Sequence, residues 1–139
     1  MNYWLIKSEP SSWSWQDQLD RGDSGEGWDG VRNYQASNNM KAMALGDLAF
    51  FYHSVTEKQI VGIVEVIKLY HPDPSDKTAR FGMVTVKAVK QMTAPVTLAA
   101  LKDDERLQDM ALVRQARLSV VPVTPAQWEI IMEKGATTL

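Results

Sequence analysis

Cysteine is absent from these 139 residues, which excludes disulfide scaffolds, thiolate zinc sites and a cysteine nucleophile. Histidine occurs only twice, as His53 and His71, so histidine-rich metal centres are excluded as well. No apolar run approaches the eighteen or so residues of a membrane span. The opening "MNYWLIKSEP" lacks the basic start and long apolar centre of a secretory signal,. A cytoplasmic location and no contact with membrane are therefore expected. The chain also lacks a basic excess: its net charge is −2. A protein that coats nucleic acid mainly through phosphates draws its affinity from counterion release and carries surplus lysine and arginine. Sequence-blind coating is not expected here, whereas a pocket for one chemical group is compatible with the charge. Neither "GxxxxGK" nor "GxGxxG" is present to cradle a phosphate, and no "GxSxG" supports a Ser–His–Asp triad built from Ser8, His53 and an acid,.

What is present is a folding composition, 45% hydrophobic and 23% charged, at a length suited to one domain spanning residues 1–139. "NYWLIKS" alternates as a strand. "SSWSWQDQL" makes a short helix, with Ser14 and Asp17 at capping-box spacing. Residues 20–30 read as loop. Asn33 is an N-cap for a helix over roughly Tyr34 to Ala44. "LAFFYHS" and "KQIVGIVEVIKLY" read as strands joined by "SVTEK". The second strand is apolar at both parities, which suits a small closed or nearly closed barrel. "FGMVTVKAVKQM" and "RLSVVPV" are further strands. "TLAALKDDERLQDMALV" has helical spacing in two short pieces. "TPAQWEIIMEKG" carries a full helix signature: Thr124 with Gln127 as capping box, Pro125 at the first position, Gly135 at the end,. The sum is a curled α+β fold of about five mostly antiparallel strands with short peripheral helices.

Tryptophan is the unusual residue: there are five, and Trp4, Trp13, Trp15 and Trp28 fall within the first thirty positions. Trp128 and Trp13 or Trp15 are expected to pack. Trp28 sits in the polar stretch "WDGVRNYQASNN", where its ring either stacks on a planar ligand or plugs the end of the barrel. Arg32 either pairs with Asp29 or contacts a phosphate or base edge. Asn33 caps its helix or reads a donor–acceptor pair, and Tyr34 serves either role. In "FFYHS", alternation puts Phe50, Tyr52 and Ser54 on one side and Phe51 and His53 on the other, one of these sides being core. His53 beside Ser54 is either structural or placed to hydrogen-bond a ligand. His71 with Asp73 and Asp76 form an oxygen-rich loop, whose aspartates serve turn hydrogen bonds more often than a metal. Rings interleaved with amide, guanidinium, imidazole and hydroxyl groups are the composition that a flipped-out or free nucleobase requires.

The ordered blocks "YWLIKSEP", "WDGVRNYQ", "GDLAFFYHS" and "RLSVVPVTPAQW" resemble the signature of the EVE domain family, over nearly the whole chain from Tyr3 to about Trp128. The resemblance implies a PUA-like fold, a small β-barrel with peripheral helices, related to the YTH domains that read methylated adenine in RNA. It implies a non-enzymatic module without cofactor or metal, binding nucleic acid through a modified base, with modified cytosine in DNA placed ahead of RNA. Its motifs point to Lys7 and Ser8 in the first block, Trp28, Val31, Arg32, Asn33 and Tyr34 in the second, and Phe51, Tyr52, His53 and Ser54 in the third. Two positions depart from the family pattern: Ser37 stands where an arginine is common, and Phe81 follows Arg80 where a tryptophan is common. Two rivals remain beside this reading: a sensor of free nucleotide or another planar metabolite, and a small hydrolase using His53 as general base.

Overall fold

The computed structural model describes residues 1–139. Six strands form one sheet: β1 (Tyr3–Ser8), β2 (Glu26–Gly27), β3 (Leu48–His53), β4 (Gln59–Pro72), β5 (Gly82–Thr97) and β6 (Val120–Val123). Their spatial order is β2-β5-β4-β3-β1-β6. Only the β1–β3 pair is parallel, and its register sets Tyr3 against Leu48 and Ser8 against His53. The expected barrel of about five strands is corrected on both counts. The sheet has six strands and is open, because β2 and β6 lie at opposite edges and do not pair. A two-residue and a four-residue strand offer too short a ladder to close it, and α2 (Tyr34–Lys41) and α4 (Ala111–Arg114) pack against β6 instead,.

The extra strand comes from the segment read as loop. Residues Gly22–Ser24 form a 3-10 turn, after which Glu26 and Gly27 pair with Val86 and Thr85. Gly25 makes this approach feasible: its φ is +69°, and a Cβ there would lie 2.5 Å from the Val86 carbonyl oxygen,. The local signals elsewhere hold. Helix α1 (Trp15–Asp20) begins in the Ser14–Asp17 capping box, and α5 (Pro125–Lys134) begins in the Thr124–Gln127 box. Asn33 Oδ1 accepts the Ala36 N–H 2.9 Å away, and α2 follows it. The helical stretch after β5 breaks into three pieces rather than two: α3 (Leu98–Asp103), a 3-10 turn at Glu105–Leu107, and α4. No helix is long and apolar enough to cross a membrane.

Thirty-three buried hydrophobic residues form one core cluster. All six residues of β3 are buried, so both of its faces are covered rather than one. Phe50 stacks on Trp128 at 3.9 Å between ring centroids, and Trp128 stacks on Tyr3 at 4.4 Å. On the other face Phe51 meets the edges of Trp15 and Trp28 at 5.2 and 5.5 Å. Trp15 lies directly on the sheet over Gly62, where an added Cβ would fall 2.4 Å from the indole. The ladder also shifts register between Phe51 and Tyr52 against Gly62 and Ile60. Gly62→Ala is therefore expected to displace Trp15 and destabilise the protein by about 1–3 kcal/mol, read as a lower urea midpoint. An unchanged midpoint would mean the ring has room to move.

Candidate nucleic-acid interface

A cleft of about 410 Å³ opens where β1 ends beside β2, within the range of small-molecule sites. One wall is Lys7, Ser8, Glu9, Ser12 and Trp13, and the other is Glu26, Gly27, Trp28 and Asp29. The first wall is set by the turn that Pro10 forces at the end of the strand. Ser12 and Trp13 both donate backbone N–H bonds to the Glu9 carbonyl, and Ser8 Oγ donates to the Trp13 carbonyl at 2.5 Å. The Trp13 indole is held from behind, its Nε1–H donating to Gln18 Oε1 at 3.0 Å. Gln18 is itself fully buried and donates to the Val86 carbonyl. The second wall is an extension of β2. The Trp28 N–H donates to the Val84 carbonyl at 2.8 Å, and the indole is buried with 8% of its surface left open.

The cleft is acidic as well as aromatic. Glu9, Glu26 and Asp29 line it together with Lys7, and Arg21 Nε lies 3.5 Å from Glu26 Oε1. Burial pushes the Lys7 amine below its ordinary value. Its Nζ donates to the Ala116 carbonyl at 2.8 Å and lies 6.0 Å from the Tyr52 ring centroid. Three carboxylates disfavour a phosphate inside the cleft and favour a ligand that donates hydrogen bonds.

The residues named from sequence divide into four places. Lys7, Ser8 and Trp28 line this cleft. Tyr52 and Ser54 line a neighbouring cleft of about 330 Å³ that also reaches Lys7. Val31, Phe51 and His53 are buried. Arg32, Asn33 and Tyr34 lie along the chain beyond, outside both clefts.

His53 is a strut. Its Nε2 accepts the Trp15 backbone N–H at 2.9 Å, and its Nδ1 meets Glu57 Oε1 at 3.0 Å. That geometry fixes the tautomer with the proton on Nδ1 and engages both nitrogens. The same bond holds the Glu57 carboxyl below its ordinary value.

Arg32 takes a partner other than Asp29. It donates to Asp73 Oδ2 at 3.1 Å and to Ser75 Oγ at 2.9 Å, with its guanidinium 5.8 Å from the Phe81 ring. Asp73 also accepts the Gly30 N–H and the Ser75 N–H and hydroxyl. Burial alone would raise its carboxyl, but the bonds from Ser75, Gly30 and Arg32 outweigh it and hold the group below the usual range. Asp76 is occupied in the same way, by Thr78 and the N–H groups of Arg80 and Phe81, with its carboxyl lowered to about 2. The two aspartates thus serve turn hydrogen bonds. Tyr34 is 62% exposed and leans on Phe81 at 4.8 Å. Ser37, at the position where the family often has arginine, is buried and bonds the Tyr70 hydroxyl at 2.7 Å.

Sequence reasoning did not name Glu9, Ser12, Trp13, Glu26, Gly27 and Asp29 in the cleft beside β2. Chain adjacency was the available signal, since "KSEPSSW" and "GEGWD" contain every one of them. Trp15 does pack, as expected for one of the pair, but Trp13 stands half-buried in the cleft wall.

An open six-stranded sheet with short helices at its connections describes a PUA-like fold. The chain belongs to the EVE domain family, whose model matches residues 2–134. It is 36% identical over 168 aligned residues to thymocyte nuclear protein 1 of Mus musculus, covering 98% of this chain and 74% of that protein. A crystal structure of a protein from Agrobacterium tumefaciens superimposes with a TM-score of 0.96 at 47% identity, covering 99% of this chain and 94% of that one. Human THYN1, in a crystal structure with DNA containing 5-methylcytosine, superimposes with a TM-score of 0.91 at 32% identity over the full length of both chains. A YTH domain from Zygosaccharomyces rouxii shares the fold at 14% identity and a TM-score of 0.58.

Proposed function

We propose that this protein is a non-catalytic reader that accepts a modified nucleobase of DNA, 5-methylcytosine first, in the cleft between Trp13 and Trp28. The observation that carries the reading is the chemistry of the two walls: flat indoles beside three carboxylates and one ammonium. Cytosine presents an N4 amine that donates and N3 and O2 that accept. Glu or Asp accepting from N4 is an established pairing, and Glu9 or Asp29 would fill that role. Lys7 would donate to the acceptor edge, and the rings would stack on the base and cover its methyl group. The DNA complex of human THYN1 supports the same ligand class. A flipped base costs a few kcal/mol of unstacking, so several contacts must act together. The engagement of both His53 nitrogens argues against its use as a general base,.

The test is tryptophan-fluorescence titration with duplex oligonucleotides differing at one base: cytosine, 5-methylcytosine, 5-hydroxymethylcytosine, adenine and N6-methyladenine. The expected result is tightest binding to a modified cytosine, with free nucleoside competing weakly. Equal binding across the set would remove the modified-base reading. Preference for free nucleotide over every duplex would replace it with a metabolite sensor.

A further inference from the structure

The cleft beyond Lys7 differs from the first in charge. Its polar groups are Lys7, Lys58, Lys102, Tyr52 and Ser54, and no carboxylate lines it. Lys58 and Lys102 have no ion-pair partner, and neither ammonium makes a hydrogen bond within the protein, whereas Lys87 and Lys134 do have carboxylates within ion-pair distance. Burial raises the Tyr52 hydroxyl above its ordinary value, which keeps it a donor. The floor between these groups is apolar, with Leu98, Leu112 and Val113.

The backbones beneath the two lysines are pinned while their side chains are free. The Lys58 carbonyl accepts the N–H of Leu98, the first residue of α3, at 2.8 Å, which ties the β3–β4 turn to the start of α3. The Lys102 carbonyl accepts from Gln108 Nε2 at 2.8 Å. The turn itself is strained: Val55 and Lys58 have φ of +68° and +51°. A β-branched residue rarely adopts that conformation, and such strain clusters at ligand sites.

We infer that this second cleft holds a phosphate of the nucleic-acid strand flanking the base, with Lys58 and Lys102 as its ligands and the sugar on the apolar floor. The inference rests on the base-reading proposal. A base entering the first cleft brings its backbone to the rim, where Glu9, Glu26 and Asp29 repel a phosphate. The neighbouring cleft shares Lys7 with the first, carries no acid, and offers ammonium and hydroxyl donors. In a chain whose net charge is −2, three lysines line this one cleft without an acid among them.

The experiment measures Kd for duplexes with one 5-methylcytosine or one cytosine, across a range of salt concentrations. Wild type is compared with K58Q, K102Q, K58Q/K102Q and the charge-matched K77Q, which changes an exposed lysine on the 73–81 loop. The slope of log affinity against log salt is expected to fall by about 0.9 in the double variant, the counterion release of one phosphate, with each single variant losing part of it. The preference for 5-methylcytosine should be unchanged, and K77Q should match wild type. A double variant with the wild-type slope and its base preference intact overturns the second cleft and leaves the base reading standing. A slope that falls equally in K77Q also overturns it, because the effect is then one of net charge. A fall specific to K58Q/K102Q without base preference in any protein keeps the phosphate site and removes the base reading.

Discussion

Trp13→Ala is expected to weaken binding of a duplex carrying 5-methylcytosine by roughly 5- to 150-fold, the equivalent of the about 1–3 kcal/mol that stacking on one base supplies. The same variant should remain folded. Trp13 is half-buried: it packs against the margin of the core and gives one hydrogen bond from Nε1 to Gln18 Oε1. Losing that donor leaves the buried Gln18 oxygen short of a partner, at a cost on the order of 1 kcal/mol. Trp13→Phe separates the two effects, since it keeps a ring in the wall and removes the same donor. Its affinity should stay near wild type while its stability falls with that of the alanine variant. Trp28 offers no such separation, because its indole is packed edge-on against Phe51 and belongs to the core. Trp28→Ala would lower stability and binding together. If Trp13→Ala binds as tightly as wild type, Trp13 is not a stacking platform and the cleft reading loses one of its walls.

Features that depend on residues three or four apart were legible. The Ser14–Asp17 and Thr124–Gln127 boxes and the Asn33 cap all stand where spacing put them. So do the strands with strong β-branched alternation. Features that depend on distant partners were not. Glu26 and Gly27 read as loop because their strand exists only through pairing with Val86 and Thr85. Arg32 took Asp73, forty-one residues away, over Asp29 nearby in the chain. Closure of the sheet was expected from the apolar faces of β4, yet closure depends on the edges, and these are too short. The same division runs through the site. Lys7, Ser8 and Trp28 were named because each belongs to a familiar block. Of Trp13 and Trp15, one was expected to pack and the sequence did not say which; Trp15 is buried, and Trp13, half-buried against the core, also lines the cleft.

His53 was read as either structural or a ligand contact, and both of its ring nitrogens are engaged within the protein. His53→Ala removes a buried ring and leaves the Trp15 backbone N–H without its acceptor. An unpaired buried donor costs about 1–3 kcal/mol, and the cavity adds to it. The expected loss is about 3 kcal/mol, a fall in Tm on the order of 10 °C for a chain of this length. The consequence reaches the site through a short path. Trp15 is the first residue of α1, and the cleft residue Trp13 lies two positions before it, with its carbonyl tied to Ser8. Loosening the start of the helix therefore loosens the cleft, and 5-methylcytosine preference should weaken even where the variant is fully folded at low temperature. His53→Gln carries an amide oxygen that can reach the position of Nε2 and accept the same N–H. It should recover much of the stability and of the base preference together. A general base behaves otherwise: glutamine cannot take a proton, so a hydrolytic role would be lost equally in His53→Gln and His53→Ala whatever the stability. A His53→Ala variant as stable as wild type would show that the imidazole does not hold the helix. Recovery of stability by His53→Gln without recovery of base preference would break the link from the strut to the cleft.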